Sequence, residues 1–309
     1  MSDTFRLVTR SDFDGLVCAV LLRQLDLVDE ITFVHPKDVQ DGAVEITSRD
    51  ILTNLPYDPR AHLVFDHHHS ETLRNAGATN HVIDAEAPSA ARVVFDHYGG
   101  AARFPKISDD LMRAVDQADS AAYSVHEVLE PTGWTLLNFL MDSRTGLGRF
   151  RDFRISNYQL MMQLIDICID YQDVEEILAL PDVAERVELY RAQAELFHAQ
   201  LERVTTVHGD VVVLDLREEE VIHAGNRFYV YAMFPQARVS MHVMWGKAQQ
   251  NTVFAIGKSI VDRTSPVDVG AVCLAHGGGG HLAAGTCQVP HEDSERVLAE
   301  LVEQLRTDR

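Results

Sequence analysis

Ala61-His62-Leu63-Val64-Phe65-Asp66-His67-His68-His69-Ser70 decides how this chain is read. Three apolar residues, Leu63 to Phe65, run straight into one carboxylate and three imidazoles. An apolar run this short, bounded by turn formers, predicts a buried strand. In open α/β sheets, ligands gather outside the carboxyl ends of the strands. Asp66, His67 and His68 are thus placed to hold a metal ion or a phosphate. A solvated turn is the alternative for the stretch alone, and the rest of the chain raises the functional reading.

Upstream, Phe5–Thr9 reads as a strand, Arg10-Ser11-Asp12-Phe13-Asp14-Gly15 as a tight polar turn, and Leu16–Leu22 as a buried helix. Together they open an α/β unit. Asp12 and Asp14, two apart in an extended turn, can aim both carboxylates at one point, as hard divalent cations require. An isolated Asp-x-Asp-Gly is equally a plain turn or a helix cap. Glu30–Val34 reads as a second strand, and Val44–Thr47 as a third that runs out into Ser48-Arg49-Asp50, placing Asp50 at a strand end. His81–Asp84 is a further strand, and Pro88–Phe95 a helix with Pro near its first turn. Ser108 caps a helix through Leu111, Met112 and Val115 that closes on Asp116–Ser120, with Asp116 and Asp119 on one face.

Downstream, residues 150–204 have a helical pattern. Val183, Val187, Tyr190, Ala194, Phe197, Leu201 and Val204 form an apolar stripe that packs between two domains or against a second copy. A homodimer is therefore one expected assembly. After Gly209 the pattern turns to strands at Val211–Leu216, Phe228–Tyr231, Val239–Val243 and Thr252–Ile256. A helix over Val269–Leu274, a strand at Thr286–Val289 and a closing helix from Ser294 to Leu305 complete a smaller α/β domain. The expected organisation is a parallel-sheet domain over 1–150, a helical connector over 151–205 and the second α/β domain over 206–309. Between its helix and strand lies His276-Gly277-Gly278-Gly279-Gly280-His281. Glycines let backbone approach a ligand closely, and successive N–H groups can form an anion-binding nest. A flexible hairpin is the alternative.

At 309 residues, 46% hydrophobic and 24% charged, the chain has an ordinary globular composition. Its net charge of −20 disfavours duplex DNA, since binding long nucleic acid rests on Lys and Arg neutralising phosphates. Cys18, Cys168, Cys273 and Cys287 lie far apart, with no Cys-x-x-Cys, so neither a disulfide framework nor a zinc cluster is expected. No signal-peptide pattern and no membrane-length apolar run is seen, which makes the cytoplasm the expected location.

The assembled motifs resemble the DHH phosphoesterase superfamily with a C-terminal DHHA1 domain. Asp12-Phe13-Asp14-Gly15 matches its first motif, Asp66-His67-His68 the name-giving one, and Gly278-Gly279-Gly280-His281-Leu282-Ala283-Ala284-Gly285 the DHHA1 signature. The motifs stand in the right order, about 50 and 210 residues apart, and the resemblance covers nearly the whole chain. It implies that Asp12, Asp14, Asp50, His67 and Asp119 bind metal, with Asp50 as the second-motif aspartate bridging two ions and Asp119 preferred to Asp116. It implies that His68 faces the substrate phosphate or leaving group, with Asp66 orienting it. It implies that His281 with Gly278, Gly279 and Gly280 would hold the far end of the substrate, and His276 and His281, flanking the run, could hydrogen-bond a phosphate. Two departures stand out. Arg10 replaces the histidine with which many relatives begin the first motif, and arginine cannot ligate a metal but can clamp phosphate. Lys258-Ser259, with Arg263 following, replaces an Arg-Ser pair.

Such a donor set suits two Mn²⁺ ions, with Mg²⁺ as the alternative. Two metals about 3.5–4 Å apart lower the pKa of a bridging water and stabilise both attacking and leaving oxygens. Lys258, Arg263 and the glycine amides would spread charge on the phosphoryl group, in a cleft gated by the helical connector. The expected activity is hydrolysis of terminal phosphodiester, phosphomonoester or phosphoanhydride bonds in a short single-stranded oligonucleotide, a nucleotide or polyphosphate. The rival, motivated by Arg10, is a nucleotide-binding or regulatory protein that kept the fold and lost turnover.

Overall fold

Five strands, β1 (Phe5–Arg10), β2 (Val28–Val34), β3 (Asp50–Thr53), β4 (Leu63–Asp66) and β5 (His81–Ile83), pair in parallel in the order β2-β1-β3-β4-β5. Parallel strands covered on both faces read as continuous apolar runs rather than alternating ones. Leu7 and Val8, Ile51 and Leu52, and Val64 and Phe65 are accordingly buried in consecutive pairs. The helix Phe13–Gln24 that follows β1 is buried at every position from Phe13 to Leu22, so it carries no polar stripe over that span. This computed structural model describes residues 4–68, 71–72, 75, 77–171 and 173–307; His69 and Ser70 of the deciding stretch lie outside that set.

One strand is displaced from its expected place. Val44–Thr47 is not a strand; the third strand begins at Asp50 and ends at Thr53. Ile46 nevertheless packs in the core with Val8, Leu52, Leu55 and Val64, and Val44 leans on the same cluster. Burial of a loop thus produced the apolar alternation that resembles a strand.

The chain divides into two units, one comprising Met1–Tyr123, Thr132–Ser143 and Leu147–Glu188, the other Ser124–Pro131, Arg144–Gly146 and Leu189–Arg309. The stretch expected to be a connector is therefore split. Helices Asn157–Asp170 and Val174–Leu178 belong to the first unit, whereas Pro181–Val204 passes from the first into the second. On that long helix Val183, Val187 and Leu201 of the expected stripe are buried, Tyr190 and Phe197 are half-buried, and Ala194 is exposed.

In the second unit, β6 (Thr205–His208), β7 (Val211–Asp215), β8 (Val239–Trp245), β9 (Thr252–Lys258), β10 (Gly279–His281) and β11 (Ala284–Val289) form one sheet in the order β10-β11-β9-β8-β7-β6. Only β7 and β8 pair in parallel. Alternate residues Val211 and Val213, Val239, Met241 and Val243, and Phe254 and Ile256 face one core. Helices Val269–Ala275 and Ser294–Leu305 cover it with Val269, Cys273, Val297, Leu301 and Leu305. Phe228–Tyr231, expected as a strand from its aromatics, lies in a helical turn, Tyr229–Met233, that buries Val230 and Tyr231; packing overrode local β preference. All four cysteines are buried and free. Among the described residues, no helix is long and apolar enough to cross a membrane.

Candidate active site

The chain leaves β1 at Arg10 and turns at once into the Phe13–Gln24 helix. Asp12 caps that helix, its Oδ1 accepting from the Gly15 N–H at 3.0 Å. The turn is tight enough that a Cβ on Gly15 would stand 1.9 Å from the Arg10 carbonyl oxygen, so only glycine fits. The next acid, Asp14, is buried. Its two oxygens accept from the N–H groups of Ala90 and Ala91 at 3.1 and 2.8 Å, where the helix Ala90–His97 begins. A helix N-terminus offers unpaired amides and a partial positive charge, which suits a carboxylate.

From the other side β4 delivers Asp66 and His67. His67 Nδ1 lies 3.2 Å from the Ala87 carbonyl oxygen, so that nitrogen carries the proton and donates. This turns Nε2 toward Asp119, whose Oδ2 stands 2.9 Å away. Asp119 ends the helix Asp109–Asp119. One turn earlier on the same helix, Asp116 accepts from Ser89 Oγ at 2.8 Å and from Arg92 Nε and Nη2 at 3.1 and 2.5 Å. Asp116 therefore braces the helix start that holds Asp14, and Asp119 is left to face His67. One ligand atom each from Asp14, His67 and Asp119 lie within 4.8 Å of one another.

The electrostatics of this trio follow from its crowding and burial. Burial, followed by the negative charges of Asp119 and Asp12, pushes the Asp14 carboxyl well above the usual carboxylate range. Burial works against charge on His67, but the hydrogen bond and charge of Asp119 outweigh it and lift the imidazole to about 9. Burial also raises Asp119, and His67 more than offsets this, holding it below its ordinary value. Two carboxylates and an imidazole, crowded and largely out of water, are a donor set that fits a divalent cation of the Mn²⁺ or Mg²⁺ kind.

Asp66 is buried, and its Oδ1 accepts from the backbone N–H groups of His67 and His68 and lies 2.6 Å from His68 Nδ1. Asp12 has one oxygen on the helix cap and the other 2.8 Å from Arg10 Nε. Asp50 is not brought to the site. It opens β3 rather than closing it, at the amino ends of the strands, where Arg6 Nε and Nη2 grip its two oxygens at 2.7 and 2.8 Å. The Thr47 N–H adds a third bond at 2.6 Å. A cavity of about 500 Å³ opens at this amino end, lined by Arg6, Asp29, Glu30, Glu45, Thr47, Arg49 and Asp50, away from the carboxyl tips that carry His67 and Asp14. Asp50 begins its strand instead of ending one because the apolar alternation of Val44 and Ile46 belongs to a packed loop.

The glycine run is also not the loop it was expected to be. Gly279–His281 is the edge strand β10, paired with β11 through Gly279 with Thr286, Gly280 with Gly285 and His281 with Ala284. A Cβ on Gly278 would lie 2.1 Å from the Thr286 carbonyl oxygen, and one on Gly280 2.3 Å from that of Ala284. Close strand approach, not a nest, explains these two glycines; at Gly279 a Cβ would meet nothing within 4 Å. His276 turns to the closing helix, with Nε2 3.4 Å from Gln304 Nε2 and Nδ1 4.0 Å from Glu300. Lys258 Nζ donates to the Ser265 carbonyl at 3.1 Å, and Arg263 Nε to that of Ile260 at 3.2 Å.

Among solved structures, the chain is 58% identical to the pGpG-specific phosphodiesterase PggH from Vibrio cholerae, over 98% of this chain and 99% of that one, with a TM-score of 0.83. This chain belongs to the DHH/DHHA1 phosphoesterase superfamily. It is a phosphoesterase. CDC45 from Entamoeba histolytica (TM-score 0.54, 9% identity, 99% and 96% covered) and an exonuclease RecJ bound to manganese (0.50, 16%, 96% and 89%) share the superfamily's fold. No family model and no curated protein matches the chain.

Within this superfamily frame, two features escaped the sequence reading. The amides of Ala90 and Ala91 anchor Asp14, a role signalled only by the small residues after Ser89. Asn54 follows the carboxyl end of β3, the kind of strand end at which Asp50 was expected.

Proposed function

We propose that this chain is a metal-dependent phosphodiesterase that cuts the internucleotide bond of a short 5′-phosphorylated dinucleotide such as pGpG, using two Mn²⁺ or Mg²⁺ ions. The observation that carries the reading is 58% identity along nearly all of both chains to a pGpG-specific phosphodiesterase. The trio of Asp14, His67 and Asp119 supports it chemically. So does the charge of −20, which suits a small substrate better than a long polyanion.

A bound divalent cation supplies a water of lowered pKa and positive charge for the phosphoryl oxygens. The chain's own residues do the rest. Asp14, fixed by two helix amides, and Asp119, held by its partner His67, present oxygens to one point. The Ala87 carbonyl fixes the His67 tautomer, so that Nε2 is the nitrogen offered for ligation. Asp66 ties down Nδ1 of His68, making Nε2 the atom through which that ring meets the substrate. In hydrolysis the water oxygen forms the new P–O bond and the bond from phosphorus to the 3′ oxygen breaks. In this reading His68 Nε2 carries the proton to that leaving oxygen.

The test is product release from pGpG, a nucleoside triphosphate, polyphosphate and a longer oligonucleotide, each with Mn²⁺. Two guanosine monophosphates per pGpG are expected, with the reaction abolished by EDTA, Asp14→Ala or His67→Ala. Turnover that survives chelation and both substitutions overturns the mechanism, and preference for polyphosphate overturns the substrate.

A further inference from the structure

Asn54 is 1% exposed, yet among the described residues neither its amide nitrogen nor its amide oxygen has a hydrogen-bond partner. A buried amide left unpaired is costly, and a native chain that keeps one has a use for it. The backbone accounts for part of the choice, since φ is +54° and asparagine tolerates the left-handed region better than most side chains. It does not account for two orphaned polar atoms.

Position does. Thr53 pairs with Thr9 on one side and with Phe65 on the other, so Asn54 stands at the level of Arg10 and Asp66. Its N–H donates to the Phe65 carbonyl at 3.1 Å. The tip of β3 is thus flanked by the two segments that deliver Asp14 and His67. Asp66, on the adjoining strand tip, has a buried Oδ2 that is likewise without a hydrogen-bond partner. Unpaired oxygens on neighbouring strand tips are what a cation and its waters would satisfy.

We propose that Asn54 is a neutral member of the metal centre, its side-chain oxygen taking the place at which a bridging carboxylate was expected. The inference rests on the metal-dependent reading above. A neutral oxygen in that place leaves the donor set one negative charge short of its carboxylate counterpart. The centre therefore holds one cation firmly and a second weakly.

Calorimetric titration with Mn²⁺ and thermal melting in EDTA or Mn²⁺, both without substrate, test this on the full chain with Asn54→Asp and Asn54→Gly. Asn54→Asp should melt below wild type in EDTA, because it adds a buried charge beside Asp66. It should then gain more than wild type from Mn²⁺ and bind the second ion at least tenfold tighter. Asn54→Gly keeps the left-handed backbone without strain; it should melt near wild type in EDTA and bind Mn²⁺ at least tenfold more weakly. If Asn54→Asp does not fold, Asn54→Gly alone decides. Wild-type affinity in Asn54→Gly, or an Asn54→Asp melting loss that Mn²⁺ does not reduce, overturns the inference and leaves a backbone role only. A wild type that binds no Mn²⁺ overturns the metal reading itself.

Discussion

Mn²⁺ uptake by the metal-free protein should expel a proton from His67. The Asp119 carboxylate at 2.9 Å overcomes the penalty of burial and lifts this imidazole to about 9. At pH 7 about 99 rings in 100 are then protonated, and a protonated ring cannot ligate. Removing that proton costs about 3 kcal/mol at pH 7, since each pKa unit is about 1.36 kcal/mol. Apparent Mn²⁺ affinity should therefore rise about ninefold from pH 7 to pH 8 and about fivefold more to pH 9, then level off. The stability of the chelated protein moves the other way. A pKa raised above the unfolded value of about 6.5 stabilises fully below that pH, and the contribution, about 3 kcal/mol, is lost as pH rises through about 9. The assay is calorimetric titration at pH 7 in two buffers of different ionisation enthalpy. At least one proton should be released per first Mn²⁺ bound. In Asp119→Asn the lifting charge is gone, burial favours the neutral ring, and release should fall below one half. Equal heats in both buffers for the wild type would refute the reasoning.

Three further outcomes follow from particular contacts. Asp50→Ala should cost about 1–3 kcal/mol in denaturant melts by stranding Arg6, while Mn²⁺ binding stays at the wild-type level; loss of binding would return Asp50 to the centre. Burial raises the Asp50 carboxyl, but Arg6 and the Thr47 N–H outweigh it and hold it below its ordinary value, so its contribution is present above about pH 4 and is lost on further acidification; Asp50→Ala should flatten that part of an acid-unfolding curve. Gly278→Ala, forced 2.1 Å from the Thr286 carbonyl, should destabilise the protein by more than about 2 kcal/mol in chemical denaturation, while Gly279→Ala changes stability by less than about 1 kcal/mol; similar losses in both would contradict the hairpin packing.

Much of this architecture was legible because the period of a pattern reports its burial. The consecutive apolar pairs of β1 and β4 and the alternation of Val239, Met241 and Val243 in β8 each gave their strand type away. Asp14, His67 and Asp119 were expected together only through the superfamily resemblance, and one ligand atom of each lies within 4.8 Å of the others. Asp50 could not be placed, because Val44 and Ile46 alternate like a strand while packing as a loop. Asn54 was invisible for another reason. Nothing in its sequence neighbourhood distinguishes a buried amide at a strand tip from a turn-forming asparagine. The glycine run was ambiguous in the same way, since the freedom that builds a nest also lets two strands approach closely. Long-range packing, as in the Ala90 and Ala91 amides meeting a carboxylate 76 and 77 residues away, leaves no local trace.

Anomalous diffraction from crystals soaked in Mn²⁺ tests the central claim most directly. The strongest anomalous peak should be bonded to oxygens of Asp14 and Asp119 and to Nε2 of His67. A peak at the amino end of the sheet beside Asp50 and Arg6, or none near His67 at saturating Mn²⁺, would contradict it.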